Sequence, residues 1–444
     1  MNGSRTTRRR AASTSSANSH GWRPESWPNA SSNNATRRHP DEHPNAHHRQ
    51  GIRSRQHLPL SFWAKTADER EQSFTILRDE RPLSWHAPIE GALMEAEIDG
   101  LWAVTRNEDI AYISKNPQLF CSGQGVMIEA VPEDILDAAQ SFLAMDGSQH
   151  SILRRLISSV FTPRQVAKIQ DQIKVQAATI VTDLLKTRSG DFVEQVSKRL
   201  PMWTIYEMIG LPAEYRDEAA HHADGMVSWA DADVAAGRES GEVLNESLVG
   251  LLTTGLELAE QRRAHPTSDL MSLLVQAEID GRRLTDEELG AFFVLLSVAG
   301  NDTTRNTVTL TTMALQQFPH QRALLERDFD GHIKRGIEEF VRWASPVMTF
   351  RRTATQDTEL CGQLVREGGE WVLMMYSSGN RDERAFANPH EFDITREPNA
   401  HVGFGGGGDR TSAWVPSWPR CSWRPSSGNW STERPTYGSV TPSS

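Results

Sequence analysis

The stretch Ala299-Gly300-Asn301-Asp302-Thr303-Thr304 sets an acid beside two alcohols inside an otherwise apolar run. An acid next to an alcohol can hand protons into a buried cavity. The same residues also suit a helix kink with Asp302 and Thr303 turned to solvent, because glycine and threonine weaken a helix locally. Further along, 338-EEFVRW-343 holds Glu339 and Arg342 three apart, a spacing that usually gives an exposed ion pair of little worth. His150 and Arg154 stand four apart on one helical face, and 350-FRRTA-354 offers Arg352 on a strand-like segment. By themselves such an Arg is an ordinary solvated charge and such a His a satisfied structural residue. The run 401-HVGFGGGG-408 sets His401, Phe404 and Gly405 before a backbone free to approach a ligand closely. No Lys-Ser/Thr follows the glycines and no apolar helix begins there, so a phosphate cradle or a hydrolase elbow is poorly supported.

These residues need rigid elements to hold them, and the periodicity is mostly helical. Apolar positions recur at Ile152, Leu153, Leu156, Ile157, Val160 and Phe161, predicting a helix over 148–161. Val166, Ile169, Ile173, Ala177, Ile180, Val181 and Leu184–Leu185 continue the pattern over 166–186. The longest element starts at Thr285, where Thr-Asp-Glu-Glu spells a capping box with Glu288, and stops at Pro319. Its first half is apolar on nearly every face, so it should thread the centre of the protein, with a bulge expected near Gly300. A shorter helix over 331–344 carries Ile333, Ile337, Phe340 and Val341 on one side. Strand-like pieces follow near 349–361 and 370–376, then turn-rich chain to 408. The expected fold class is mainly α with small β-sheets (α+β).

Composition narrows the function. The chain has 444 residues, 38% hydrophobic and 24% charged, as expected of a folded protein with a large core. A net charge of -11 argues against general nucleic-acid binding. Cys121, Cys361 and Cys421 lie far apart without metal-knuckle or disulfide spacing, which fits a reducing cytoplasm. No run approaches the roughly 20 apolar residues of a membrane span. Residues 1–58 hold ten Arg and no Lys, with almost no aliphatic side chains, and are expected to be a disordered, non-native extension. No linker is evident inside the remaining chain to 408, which is expected to form one domain.

Taken in order, these motifs resemble the cytochrome P-450 haem-thiolate monooxygenases, bacterial soluble type. AGNDTT resembles the oxygen-activating segment of that family's central helix, and Glu339-x-x-Arg342 its ExxR pair. Residues 146-DGSQHSILRRLISSVFTPR-164 resemble the helix that carries a His and an Arg, and 350-FRRTA-354 the strand with a further Arg. Residues 380-NRDERAFANPHEFDITR-396 resemble the segment before the haem loop. The resemblance covers about 60–408. It implies the cytochrome P-450 fold with a long central helix, and haem b held at its propionates by His150, Arg154, Arg352 and His401. Phe404 and Gly405 would open the haem loop, Asp302 and Thr303 would relay protons, and Thr304 would bond a carbonyl one turn back. Glu339 and Arg342 would be structural, and Leu295, Val298, Ala299, Val347 and Met348 would line an apolar substrate pocket. It further implies a monomer that takes electrons from a ferredoxin-type donor and its reductase, and that oxidises a small apolar molecule: a sterol, fatty acid or terpenoid.

One element of the resemblance is missing. The family's axial cysteine thiolate should stand near Ser412, where the chain reads TSAW, and Cys421 is too distant and lacks a following glycine. Codons permitted for Asp409–Pro416, read one frame over, spell PHFCLGA, in which the glycine is forced by Trp414-Val415. Continuing with permitted codons gives VLAKMQLEALLGKL, an amphipathic helix. The tail 409–444 is therefore expected to be an out-of-frame reading that replaces the haem-ligand loop and its following helix. The alternative is a catalytically dead haem or ligand binder, or a pseudogene product.

Overall fold

The computed structural model describes residues 60–89, 92, 98–130, 142–187 and 189–406. The expected extension at 1–58 and the expected out-of-frame tail, with Ser412, lie outside the described residues. After a single helical turn at Leu60–Trp63, the described residues form helix α1 (Ala67–Glu80), then strands β1 (Leu83–His86) and β2 (Leu101–Val104), helix α2 (Asn107–Lys115) and strand β3 (Phe120–Cys121). A helical block follows: α3 (Gly147–Val160), α4 (Pro163–Thr187), α5 (Arg199–Ile209), α6 (Arg216–Ser228), α7 (Ser240–Ala264) and α8 (Leu270–Gln276). A two-residue hairpin, β4 (Glu278–Ile279) and β5 (Arg282–Arg283), leads into α9 (Asp286–Gln317), α10 (Pro319–Arg327) and α11 (Phe329–Ala344). Strands β6 (Thr349–Ala354), β7 (Thr358–Leu360), β8 (Gln363–Val365) and β9 (Trp371–Met375) close the described fold.

The expected helices form within three residues of their predicted ends, and for the expected reason. In α3 the periodic Leu153, Leu156, Ile157 and Val160 are all buried. Each such side chain contributes about 1.5–3 kcal/mol relative to exposure. They join Leu251, Leu258, Leu274, Leu289 and Phe293 in one core shared by α3, α5, α7, α8 and the first half of α9. Helix α9 begins as its sequence predicts. The Thr285 hydroxyl accepts from Glu288 N (3.2 Å) and the Glu288 carboxylate accepts from Thr285 N (3.0 Å), closing the capping box. Three acidic residues in that first turn suit the helix dipole. Pro319 then takes the first turn of α10, where its missing N–H costs nothing.

Five strands make the main sheet in the order β1-β2-β9-β6-β3, antiparallel except for the β2–β9 pair. Sequence periodicity identified β6 and β9 but not β1, β2 or β3. Those strands are only two to four residues long, too short to show an alternation. β2 is buried at every position, so it reads as a plain apolar run.

The Glu339–Arg342 pair departs from the exposed reading. Both side chains are 0% exposed, and the pair is bidentate, with both nitrogen–oxygen distances at 2.7 Å. Remaining groups are satisfied around it. Arg342 donates to Asn380 O (2.8 Å), Pro389 O (2.9 Å) and Glu391 O (3.1 Å). Glu339 accepts from Arg396 Nε (3.1 Å), Asn399 Nδ2 (3.2 Å) and Asp393 N (2.9 Å). Six residues of one coil segment, 380–399, thus end on one ion pair. Arg342→Met should cost about 3–5 kcal/mol, because Glu339 would stay buried with only part of its compensation. The check is the denaturant midpoint at unchanged m-value; a loss below about 1 kcal/mol would return the pair to the exposed class.

Candidate functional site

Helix α9 runs without interruption through Ala299–Thr304, so the expected bulge does not form. The threonines explain this. The Thr303 hydroxyl donates to Ala299 O (2.8 Å), and Thr307, Thr309 and Thr312 each donate to the carbonyl four residues back. Each hydroxyl is satisfied on the helix without opening the backbone. The back-bond expected of Thr304 is made by Thr303.

Asp302 is neither a lone solvent-facing acid nor free. One carboxylate oxygen pairs with Arg305 and the other accepts from Asn306 Nδ2 (3.1 Å). Arg305 also meets Asp224 of α6 (3.0 Å), and Asp224 meets Lys198 (2.9 Å), giving a charge-balanced quartet. Burial alone would lower the Arg305 pKa, but Asp302 and then Asp224 outweigh it and hold it above its ordinary value. The Thr309 hydroxyl reaches Ser197 Oγ (2.8 Å) beside the quartet. Arg305 was legible as an i,i+3 partner of Asp302; Asp224 and Lys198, from distant segments, were not.

The proposed apolar wall is only partly assembled. Leu295 and Val298 are half-buried and pack on the helical core, whereas Val347 packs on the sheet core. Ala299 is exposed and Met348 is 40% exposed. The helix that sequence placed at the centre thus leaves one side open at its midpoint.

The candidate carboxylate-binding residues come from three elements. His150 and Arg154 share α3, and His150 is half-buried, its pKa lowered by burial and by the Arg154 cation. Arg352, half-buried on β6, donates to Arg351 O (2.9 Å) and lies near the Tyr376 hydroxyl, which burial pushes up to about 12. His401 is engaged at both ring nitrogens. Its Nδ1 accepts from Gly403 N (3.2 Å), which leaves Nε2 as the donor to Glu338 Oε2 (3.0 Å). The Phe404 ring lies 5.4 Å from the His401 ring, and Gly405 turns the chain at φ +91° with its amide on Val402 O (2.8 Å).

A family model described as Cytochrome P450 matches residues 242–407. A methyl-branched lipid omega-hydroxylase of Mycobacterium tuberculosis is 39% identical over 353 residues, covering 79% of this chain and 81% of that protein. The chain belongs to the cytochrome P450 family. A steroid C26-monooxygenase of Mycolicibacterium smegmatis is 37% identical over 340 residues, covering 75% of this chain and 77% of the relative. Among solved structures, a Mycobacterium marinum cytochrome P450 in complex with pseudoionone is 50% identical, with a TM-score of 0.77 over 82% of this chain and 90% of that one. The mainly helical fold with small sheets is the fold of those structures, and the relatives are monooxygenases, so this P450 is an enzyme by lineage. Among the described residues, no helix is long and apolar enough to cross a membrane.

Cytochromes P450 use haem, and the residues present fit one part of it. Arg154, Arg352 and His150, each half-buried, are of the donor type that propionates would need, and Ala299 is exposed on α9. The described thiols do not fit the iron. Burial, and then Asp146, raises the Cys121 pKa, and burial with the neighbouring Asp109 pushes Cys361 up to about 12. Cys121 lies on β3, paired with Thr353 of β6, and Cys361 is exposed between β7 and β8, so neither stands on the loop that Phe404 and Gly405 open. Cys421 lies outside the described residues.

A pH dependence follows from His150. Its folded pKa lies below the ordinary histidine value of about 6.5. As pH falls through that value the unfolded chain takes up the proton first, so the stability contribution present at higher pH is lost in acid. His222, lowered by burial and by His221, acts in the same direction. Denaturant midpoints should therefore fall as pH drops from about 7.5 to about 5.5, and His150→Gln should flatten part of that slope. An unchanged slope in the variant would remove His150 as a source.

Proposed function

We propose that this chain derives from a haem-dependent monooxygenase that inserts one oxygen atom from dioxygen into a small apolar molecule, of sterol, fatty-acid or terpenoid type. Its electrons come from a ferredoxin-type donor and its reductase. The carrying observation is Asp302 and Thr303 on the open side of α9, on a chain whose relatives act on a methyl-branched lipid and a steroid. Haem, when bound, supplies the activation of dioxygen. His150, Arg154 and Arg352 hold its propionates; His401 joins them only by releasing Glu338. Thr303 keeps lone pairs to accept a hydrogen bond while its hydroxyl proton rests on Ala299 O. Asp302 moves a proton toward the site only after exchanging Arg305 or Asn306 for water, so the quartet sets when it can act. Leu295, Val298 and Val347 would supply the apolar part of the substrate side, while Ala299 and Met348, exposed in this structure, would be covered only by a bound ligand.

A second reading has its own observation. Since Ser412 stands where the axial cysteine is expected and neither described cysteine lies on that loop, the polypeptide as written would be a catalytically dead haem or ligand binder, with 409–444 read out of frame. Purified chain should then carry little haem, and any bound iron should give a histidine- or water-type spectrum. A thiolate-type ferrous-carbonyl band would overturn this. The source gene should show a one-base loss or two-base gain near the Gly405–Gly408 codons, and stop codons in the shifted frame would defeat that reading.

In a frame-repaired chain, Thr303→Ala should keep haem and substrate binding while diverting electrons to hydrogen peroxide. The measurement is product formed per reduced nicotinamide consumed. Full coupling in Thr303→Ala, with uncoupling in Thr304→Ala, would move the relay by one residue. Substrate-induced spectral shifts across a lipid and terpenoid panel test the substrate class.

A further inference from the structure

Asp146 occupies the N-cap position of α3 in an extended conformation, yet its carboxylate makes no bond to its own helix. It accepts instead from Ser122 N (2.9 Å to each oxygen) and Gly123 N (2.6 Å). The other end of the same turn is held from β6. Arg351 Nη2 donates to Gln124 O (2.5 Å), Nε donates to Gly125 O (3.2 Å), and the Arg351 amide donates to Val126 O (2.9 Å). Gly125 N closes the turn onto Ser122 O (2.9 Å). At Gly125 the backbone sits at φ +100°, and a Cβ there would lie 2.4 Å from Arg351 Nη2, so glycine is required twice over. The turn therefore has an anion at its amide end and a cation at its carbonyl end, each complementary to the backbone dipoles it meets.

Arg351 is 5% exposed, lies 3.5 Å from the centre of the Trp371 ring, and has no carboxylate partner among the described residues. Burial lowers its pKa to about 10, which leaves it cationic at neutral pH. A buried cation without an anion is costly unless something demands it. Here the demand is the pair of turn carbonyls. The residues that grip the turn are neighbours of the candidate propionate ligands: Asp146 begins the helix of His150 and Arg154, and Arg351 precedes Arg352.

We propose that Asp146 and Arg351 are positioning residues, which brace the Ser122–Val126 turn between α3 and β6 and thereby set His150 and Arg154 against Arg352. The propionate role of those three residues rests on the function proposed above; the brace itself does not. Hydrogen exchange and the His150 titration, followed by NMR in the full chain, test it. Arg351→Leu should speed exchange at the Gly125 and Val126 amides by about tenfold or more, because both charge-assisted hydrogen bonds to the turn are lost. It should also move the His150 midpoint up toward the ordinary histidine value as the start of α3 gains solvent. Arg351→Lys, which folds with the charge kept, should give a smaller shift in the same direction, because one ammonium cannot span two carbonyls as a guanidinium does. Asp146→Asn should speed exchange at Ser122 and Gly123. Faster exchange with an unmoved His150 midpoint in both Arg351 variants would overturn the proposal, leaving a local turn only. Haemin affinity, read by tryptophan quenching, separates the two claims. A shifted His150 with unchanged affinity keeps the brace and removes the propionate reading.

Discussion

The buried Glu339–Arg342 pair is the constraint on which the last third of the structure depends. Two opposite charges with no solvent exposure are tolerable only if every remaining lone pair and N–H finds a partner. Helix α11 cannot supply those partners, since its own backbone groups are used in the helix. They come from coil: the carbonyls of Asn380, Pro389 and Glu391, and the side chains of Arg396 and Asn399. A coil segment with little regular hydrogen bonding is thereby given one conformation. The same segment continues into His401 and Phe404, and Asn380 Oδ1 takes the Val402 amide at 2.8 Å. The approach to the glycine run is thus fixed from the ion pair outward.

The sequence made the helices legible because burial imposes a period that can be counted. Leu153, Leu156, Ile157 and Val160 gave α3 nearly to the residue, and the Thr285–Glu288 box gave the start of α9. It could not show that Glu339 and Arg342 are buried, because an i,i+3 spacing is the same on a wet face and in a dry core. What decides between them is the coil 380–399, remote along the chain and without a period of its own. The short strands failed for a related reason: two to four residues cannot display alternation, and β2 is covered on both faces.

The candidate site was legible in its residue types and much less so in their partners. Asp302, Thr303, His150, Arg154 and Arg352 are recognisable from motifs. Their states follow from neighbours that motifs omit: Asp224 and Lys198 around Arg305, Glu338 at His401, and Arg351 beside Arg352. Thr303 is the sharpest instance. Its hydroxyl was read as loosening the helix, and in the structure it bonds the carbonyl one turn back and leaves the helix continuous. The same chemistry, a hydroxyl competing for a carbonyl, gives opposite outcomes depending on whether the carbonyl keeps its amide partner.

These two levels, framework and ligand site, are physically separable in this chain. Each bond named on the Glu339–Arg342 pair ends at or before Asn399, upstream of the glycine run. Asp146 at the start of α3 and Arg351 of β6 are likewise engaged upstream of it, on the turn at Ser122–Val126. On the reading proposed above, a change of frame beyond Gly408 would remove the family's thiolate and leave each of these named bonds in place. Resemblance of the framework and competence of the site then become independent questions. Motif order and fold likeness answer the first; only the chemistry of the sulfur that meets the iron answers the second.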